Sequence, residues 1–373
     1  MQIADRALFA GAVLSDHFAR TVLSTAMTGA MTPQGLTVDG RAEIRRLDYY
    51  AALAARKNPD TIFAPPPSPI PVHTRPGHGL EQAGGRVEVL RFHSPFEPLH
   101  PELRRNFRHT ANNATARAQH WRHEDGPRPT LIVIHGMSAS QASVNATLFA
   151  LNSFFSDGWD ILLFTMPFHG GRQSGRSPFN GAELFAGGFA HFAEAMAQAI
   201  CDLRVVLDHL ERKGVTQIGA TGISLGGYTT ALLAAVDDRL DFAIPNCTVS
   251  DIPRLIEDWV PAQLGLRLLE RIKGIPQDLI ARSTAFHSPL NYPRRLPIDR
   301  LLIIAGQADR VSPPEQSLAL WEHWDRPEIH WFPGGHLVHL QRADYLKRMR
   351  RLMSVAREVP APQAPHRRRQ RSM

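Results

Sequence analysis

Gly222-Ile223-Ser224-Leu225-Gly226 lies between an apolar, strand-like run at 217–221 and a helix of small residues at 227–236. A Gly-x-Ser-x-Gly motif at such a junction holds its serine on a sharp, strained turn, and the glycines let the strand and the helix approach each other. The serine hydroxyl then projects at the carboxyl edge of a parallel sheet. The stretch predicts a nucleophilic serine, Ser224, and requires an acid, a histidine and an oxyanion hole elsewhere in the chain.

Outward from this motif, strand patterns alternate with helix patterns. Helices are predicted over about 141–155 and about 182–212, and the strands at 87–92 and 115–123 are expected to pair antiparallel. This alternation predicts an α/β fold with a mostly parallel central sheet and helices on both faces. Continuous apolar runs, typical of strands buried on both faces, occur at 131–134, 161–164, 242–244, 301–304 and 329–332.

The composition of the 373-residue chain predicts four regions. They are a helical N-terminal extension (1–58), a proline-rich linker (59–84), an α/β domain (85–357) and a disordered basic tail (358–373). Within the domain, 250–295 is predicted to form an amphipathic helix pair. Because it follows a strand, this insertion is a candidate cap over the site, and a helical excursion remote from the site is the alternative.

The N-terminal extension carries apolar residues at helical spacing, among them Leu14, Phe18 and Val22. Four roles for it stay open. They are packing on the main domain, covering the site, mediating a dimer, and lying on a membrane surface through its apolar face.

Two later loops supply an acid and a base. Asp309 follows the strand at 301–304, where a carboxylate can accept the Nδ1 proton of a histidine and fix its tautomer; Asp251 is the alternative acid. His336 follows the last strand on a Gly-Gly loop that can bring the imidazole over the nucleophile, and His339 is the competing base. The sequence therefore predicts a triad of Ser224, His336 and Asp309.

An oxyanion hole needs two convergent N–H donors. One is predicted to be the amide of Leu225, at the start of the helix after the nucleophile. The other is the amide of Met137, held by the His135-Gly136 turn at the end of the strand at 131–134. His135 is also a candidate for the substrate-binding rim, with a structural role as the alternative.

The order of oxyanion strand, Ser224, Asp309 and His336 resembles that of the α/β-hydrolase superfamily over about residues 86–357. The loop from Pro167 to Arg172 resembles the Pro-x-His-Gly-x-Arg loop of dienelactone-hydrolase-like and acetyl-esterase-like members. Similar loops, together with a helical N-terminal extension, occur in a bacterial group of uncharacterised abhydrolase proteins, whose segment corresponding to 94–99 is also similar. The resemblance implies the α/β-hydrolase fold and an esterase.

Two residues of the Pro167 loop are candidate substrate ligands. His169 and Arg172 are predicted to reach the rim of the site. The Arg172 guanidinium could bind a carboxylate or phosphate bidentately. The alternative is that it ties the loop down through carbonyl groups.

The predicted function is a serine carboxylic-ester hydrolase that acts through an acyl-enzyme on a small-molecule or lipid ester. A lipid-directed hydrolase or an acyltransferase is the first alternative, since the apolar cap and the N-terminal helix suit long acyl chains. A non-catalytic scaffold that kept the fold is the second. The sequence does not indicate an oligomeric state.

The net charge and the motifs of the chain indicate whether a membrane or a nucleic acid is an expected partner. The net charge is +7, and much of the excess lies in the tail at 366–371. The tail is expected to be solvated, with weak attraction to an anionic membrane surface as the alternative. No nucleic-acid partner is expected, because no interleaved aromatic residues or nucleic-acid modules occur.

No metal or cofactor is expected. His120 and His123 are three residues apart on a strand and so point to opposite faces, and no zinc spacing or phosphate loop occurs. With only two cysteines, no disulfide framework is expected. No transmembrane helix is expected, because no apolar run reaches about 18 residues. A cytoplasmic protein is the expectation.

Overall fold

A nine-stranded sheet forms the centre of the protein in a computed structural model, which describes residues 3–37, 39–66, 69–78, 84–108 and 112–358. The strands are β1 (His73–Pro76), β2 (Gly85–His93), β3 (Thr115–His123), β4 (Thr130–Ile134), β5 (Asp160–Thr165), β6 (Ile218–Ile223), β7 (Phe242–Asn246), β8 (Leu302–Gly306) and β9 (Glu328–Phe332). Their order in the sheet is β1-β2-β3-β5-β4-β6-β7-β8-β9.

Strands β4 to β9 run parallel, and β1 to β3 form an antiparallel edge that joins the rest through β5. The predicted antiparallel pair is confirmed as β2 and β3, in register from Gly85 opposite His123 to His93 opposite Thr115. Because the carboxyl ends of parallel strands meet at one edge of a sheet, the loops after β4, β6, β8 and β9 are brought together there.

Helices cover both faces of this sheet. Those of the described residues are α1 (Ile3–Thr37), α2 (Gly40–Ala55), α3 (Pro59–Ile62), α4 (Leu103–Arg108), α5 (Ala142–Leu148), α6 (Leu151–Ser156), α7 (Glu183–Ala186), α8 (Gly188–Arg212), α9 (Leu225–Val236), α10 (Ile252–Asp258), α11 (Val260–Lys273), α12 (Gln277–Thr284), α13 (Pro314–His323) and α14 (Arg342–Glu358). Within these residues, no helix combines the length and the apolarity that a bilayer crossing requires.

The core has two parts, one on each face of the sheet. Along β4, Ile132 and Ile134 belong to the core beneath α8 and α9, whereas Leu131 and Val133 belong to the core beneath α6 and α14. This alternation is the two-residue period of a strand that is buried on both faces. It confirms the fold class that the apolar runs predict.

Two predicted helices are each divided into two. Between α5 and α6, Ala150 adopts a left-handed conformation with φ 53°. Where α7 ends and α8 begins, Gly188, the first residue of α8, has φ 84°. Both positions interrupt the run of helical hydrogen bonds, which apolar periodicity alone does not reveal.

The N-terminal extension and the linker are integrated into the structure. The Tyr50 hydroxyl of α2 donates to the Glu194 carboxylate on α8, which also accepts the amides of Leu99 and His100 at 2.9 and 2.8 Å. The segment predicted as a linker contains α3 and the edge strand β1. The tail predicted to be disordered lies outside the described residues, except for Glu358, the last residue of α14.

The insertion at 250–295 contains three helices, α10 to α12, where a helix pair is predicted. Trp259 lies between α10 and α11, and its indole N–H donates to the Val311 carbonyl oxygen at 3.1 Å. The α11 helix packs along α1, and α12 packs along α2. The insertion and the N-terminal helices therefore form one helical layer.

Candidate active site

The candidate nucleophile lies on the turn that joins β6 to α9. Ser224 has φ 57° and ψ −119°, a conformation that costs about 1–3 kcal/mol and persists only where the surroundings enforce it. A Cβ on Gly222 would stand 2.3 Å from the Gly226 carbonyl oxygen, and a Cβ on Gly226 would stand 2.0 Å from the Ile134 carbonyl oxygen. Glycine at both positions lets β4, β6 and α9 meet around the serine.

The loops after β8 and β9 are joined by backbone hydrogen bonds. The amides of Gln307 and Ala308 donate to the carbonyl oxygens of Phe332 and Gly334 at 3.0 and 2.8 Å. These bonds extend the pairing of the two strands into the loops. The loop that carries the predicted acid and the loop that carries the predicted base are thereby held side by side.

Asp309 and His336 form a buried hydrogen-bonded pair. The Nδ1–H of His336 donates to Oδ2 of Asp309 at 2.8 Å. The other carboxylate oxygen accepts the amides of Val311 and Ser312 at 2.9 and 2.7 Å. Because the carboxylate is fixed on both sides, it sets the tautomer and the orientation of the imidazole and leaves Nε2 able to accept a proton.

Charges next to the imidazole raise the pKa of His336 above its ordinary value of 6.5. Burial works in the opposite direction, because it disfavours the charged ring. The Asp309 carboxylate, through its charge and its hydrogen bond, and the Asp16 carboxylate, through its charge, outweigh burial. A histidine with a raised pKa is a stronger proton acceptor, which suits a general base.

The predicted nucleophile and the predicted base lie at the same edge of the sheet. The Ser224 amide donates to the Asn246 carbonyl oxygen at 3.0 Å, and the sulfur of the next residue, Cys247, lies within 4.8 Å of ligand atoms of Asp309 and His336. Among the described residues, no hydrogen bond joins the Ser224 hydroxyl to His336. Such bonds are often long in free enzymes and shorten in the substrate complex. The contact between serine and histidine stays a prediction.

Cys247, Asp309 and His336 each present one ligand-type atom, all within 4.8 Å of one another. Their bonding does not favour a metal ion. The hydrogen bond between Asp309 and His336 already uses the facing atoms, and burial raises the pKa of the Cys247 thiol well above its ordinary value. Because a thiol ligates metals as the thiolate, a protonated Cys247 is a poor ligand.

The two predicted oxyanion donors lie beside the nucleophile. Leu225 is the first residue of α9, and Met137 follows Gly136, where an added Cβ would stand 3.5 Å from the Ser224 Cβ. Neither amide donates a hydrogen bond to another described residue. Two unengaged N–H groups next to a serine are what stabilisation of an oxyanion requires.

The competing acid and base are engaged elsewhere. Asp251 caps α10, where its side chain accepts the Arg254 amide at 3.1 Å. His339 accepts the Tyr345 hydroxyl at 2.9 Å and donates to the His336 carbonyl oxygen at 3.2 Å. Burial lowers the pKa of His339 to about 4. Asp251 and His339 therefore support neighbouring backbone and side chains.

His135 and His169 are placed differently from the prediction of a substrate-binding rim. Both are buried. His135 donates to the Gly136 carbonyl oxygen at 2.8 Å and accepts the Met166 amide at 3.1 Å, so both ring nitrogens are occupied by backbone. His169 donates to the Pro167 carbonyl oxygen at 2.9 Å. Burial lowers their pKa values to about 4 and about 3, which keeps both rings neutral. These two assignments are corrected to structural roles.

Arg172 is also corrected, because its guanidinium has no exposed surface. Its Nη2 donates to Asp202 Oδ2 at 2.7 Å and to the Asn113 carbonyl oxygen at 2.9 Å, and its Nη1 donates to the Thr165 carbonyl oxygen at 3.2 Å. The other Asp202 oxygen accepts the Ser94 hydroxyl at 2.6 Å. Arg172 ties its loop down, the second of the two roles that the sequence leaves open.

An apolar cavity of about 160 Å³ opens above the nucleophile. Ser224, Leu225 and Met137 are among the residues that line it. Its walls come from α1, α8 and α11, with Leu23, Met27, Phe189, Phe192, Leu266 and Leu269 among the lining residues. Helices of the N-terminal extension and of the 250–295 insertion therefore line the same cavity as Ser224, and a role of the insertion as a cap stays a prediction.

Sequence reasoning missed Asp16, a buried residue of α1. Its carboxylate accepts the amides of Arg310, His336 and Leu337 at 3.1, 2.5 and 3.2 Å. No signal in the sequence identifies Asp16, because the apolar residues of α1 at helical spacing include Leu14 and Phe18, which are exposed, whereas Asp16 is buried.

Comparison with known proteins gives relatives of the chain and its fold. The family model described as serine hydrolase (FSH1) matches residues 276–344, the segment that contains Asp309 and His336. Two Mycobacterium tuberculosis proteins, the uncharacterized proteins Rv2627c of strain H37Rv and MT2702 of strain CDC 1551, are each 31% identical over 300 residues, which is 79% of this chain and 70% of theirs.

Two solved structures share the architecture. The acetyl xylan esterase from Paenibacillus sp. R4 has a TM-score of 0.59 at 17% identity and covers 83% of this chain and 92% of its own. Acetyl xylan esterase 1 from Thermoanaerobacterium sp. JW/SL YS485 has a TM-score of 0.58 at 15% identity, with coverage of 81% and 92%. At these identities the likeness shows the fold alone, which is the α/β-hydrolase fold.

The structural role of Arg172 predicts a loss of stability. Arg172→Met leaves Asp202 buried without its cationic partner, so the free energy of unfolding is expected to fall by about 3 kcal/mol or more. Urea unfolding measures it. Arg176→Met, the same change at an exposed position of the same loop, is the control and is expected to unfold like the parent chain. An Arg172→Met variant as stable as the Arg176→Met variant would contradict the role.

Proposed function

The chain belongs to the family of the Mycobacterium tuberculosis protein Rv2627c and has the α/β-hydrolase fold, and we propose that it is a serine carboxylic-ester hydrolase. The observation that carries the proposal is the buried Asp309–His336 pair at the same edge of the sheet as a strained serine. The strained conformation of Ser224 costs stability. A hydroxyl nucleophile needs a base, and the imidazole of His336 is held in place and has a raised pKa.

The proposed reaction has two halves. His336 Nε2 takes the hydroxyl proton as Ser224 Oγ attacks the acyl carbon, and the Met137 and Leu225 amides hold the oxyanion. The C–O bond to the alcohol breaks, the alcohol leaves with the proton from His336, and Ser224 stays acylated. Water then attacks in the same way, the acid leaves, and the serine is regenerated. Asp309 stays ionised throughout and supports the imidazolium.

Ser224→Ala tests the nucleophile. Without the hydroxyl no acyl-enzyme forms, so turnover of a nitrophenyl ester is expected to fall by on the order of 10⁶, by analogy with serine proteases. A fluorophosphonate probe is expected to label the parent chain and not the variant. Ser312→Ala removes another buried serine at the same cavity and is expected to keep the label.

The labelling experiment also separates an enzyme from a scaffold. Urea unfolding of each variant shows whether a lost label reflects lost chemistry or lost structure. A folded parent chain that does not react, or a Ser224→Ala variant that reacts as fast as its parent, would contradict the proposed function.

The shape and chemistry of the cavity support an aliphatic acyl group as the substrate's acid part. Its volume of about 160 Å³ is close to that of an apolar cavity of about 150 Å³ that accommodates benzene. A chain of about six carbons has a similar size. Because the lining side chains are apolar, each methylene that enters leaves water, which stabilises the complex by about 0.8 kcal/mol.

A second candidate function, a lipid-directed hydrolase, is favoured by an exposed apolar surface next to the cavity. On α11, Leu268 and Ile272 are exposed and also line the cavity, and on α1 Phe18 and Val22 are exposed. Faster turnover of an ester in phosphatidylcholine vesicles than of the same ester free in solution would favour this candidate. Formation of a new ester when an alcohol is added would show acyl transfer.

Acyl-chain length tests the cavity assignment. From acetate to hexanoate nitrophenyl esters, kcat/KM is expected to rise up to about fourfold for each methylene buried. Leu23→Trp fills the cavity, so the rise is expected to stop near butanoate while acetate turnover changes little. Steady-state kinetics across the series measures both effects.

A matched control uses the same helix. Leu14→Trp places the same side chain at an exposed position of α1 and is expected to keep the parent's chain-length dependence. If Leu23→Trp also keeps it, or if acetate is the best substrate of the parent chain, the acyl group does not enter this cavity.

A further inference from the structure

We propose that Asp16 of α1 is a positioning residue for His336, so that the N-terminal helix is part of the catalytic machinery. The inference rests on the proposed function, in which His336 is the base. Asp16 touches no reacting atom. It acts through the backbone of the two loops that carry the acid and the base.

One carboxylate joins the two loops. Oδ2 of Asp16 accepts the amide of Arg310, the residue after the acid, at 3.1 Å and the amide of His336 itself at 2.5 Å. Oδ1 accepts the Leu337 amide at 3.2 Å. A carboxylate is the side chain suited to this position, because all three loop groups are donors and it has only acceptors.

The sequence of the base loop leaves room for this carboxylate. A Cβ on Gly335 would stand 2.5 Å from Asp16 Oδ2, inside van der Waals contact. A Cβ on Gly334 would stand 2.4 Å from the Val338 carbonyl oxygen. Gly334 therefore allows the loop to turn, and Gly335 allows Asp16 to reach the amides of His336 and Leu337.

Asp16 also contributes charge at the base. The titratable groups that face His336 are Asp309 from the β8 loop, Asp16 from α1, Cys247 from the end of β7 and His339 from its own loop. Cys247 and His339 stay neutral, because burial raises the pKa of the thiol and lowers that of the ring. The two carboxylates therefore stabilise the imidazolium that forms when Ser224 gives up its proton.

Docking of α1 is the alternative role for a buried aspartate. A docking residue would affect stability and leave the histidine unchanged. Removing the negative charge of Asp16 destabilises the imidazolium, so the pKa of His336 would fall and the acid limb of activity would move to lower pH. The titration of His336 therefore separates positioning from docking.

NMR of the full chain labelled with ¹⁵N-histidine tests the proposal, with His336 assigned through His336→Gln. In Asp16→Asn the His336 pKa is expected to fall by on the order of one unit, and kcat is expected to fall about tenfold, with little change in KM. An unchanged His336 titration in folded Asp16→Asn would overturn the proposal.

Ser24→Ala is the matched control for docking. Ser24 is buried on α1, and its hydroxyl accepts the Ala262 amide of α11 at 3.3 Å, away from the two loops. This variant is expected to lower the free energy of unfolding and keep the parent's His336 titration. A shift as large as that of Asp16→Asn would overturn the proposal.

If Asp16→Asn does not fold, Gly335→Ala provides a second test of the proposal. The added methyl pushes the carboxylate from the loop, so the His336 pKa is expected to fall here too, and an unshifted titration would overturn the proposal. The NMR titration needs no substrate. A chain whose Ser224 fails to react with fluorophosphonate contradicts the proposed function, whatever the result for Asp16.

Discussion

The end of β4 presses so closely on the nucleophile turn that no side chain fits at Gly226, where a Cβ would stand 2.0 Å from the Ile134 carbonyl oxygen. Three parts of the candidate site meet at this contact. They are the strained Ser224, the first residue of α9, Leu225, and the turn after β4 that carries Met137. The proposed nucleophile and oxyanion donors therefore lie where backbone segments pack closely.

The acid and the base are positioned in another way, by hydrogen bonds between loops. Asp309 and His336 follow different strands, and a carboxylate from α1 bonds the backbone of both loops. The same helix supplies Leu23 and Met27 to the cavity wall. In the proposed function the N-terminal extension thus contributes to the orientation of the base and to the space for the substrate. It also packs on α11 of the insertion at 250–295.

Local pattern and sheet topology predict the fold and the residues at strand ends, because a motif such as the one around Ser224 depends on its immediate neighbours. The remaining features depend on contacts between distant residues. Arg172 meets Asp202 in the interior, which its loop motif does not reveal. Asp16 lies 320 positions from His336. The apolar pattern of α1 also misleads, since Leu14 and Phe18 are exposed while Asp16 is buried.

The central claim is that the Asp309–His336 pair makes Ser224 a nucleophile. The pH dependence of the rate at which a fluorophosphonate reacts with Ser224 tests it most directly. Because the base must be neutral, the rate is expected to fall as pH drops through a His336 pKa that lies above 6.5. In Asp309→Asn the reaction is expected to slow and its acid limb to move to lower pH. A variant that reacts as fast as the parent chain, with the same acid limb, would contradict the account.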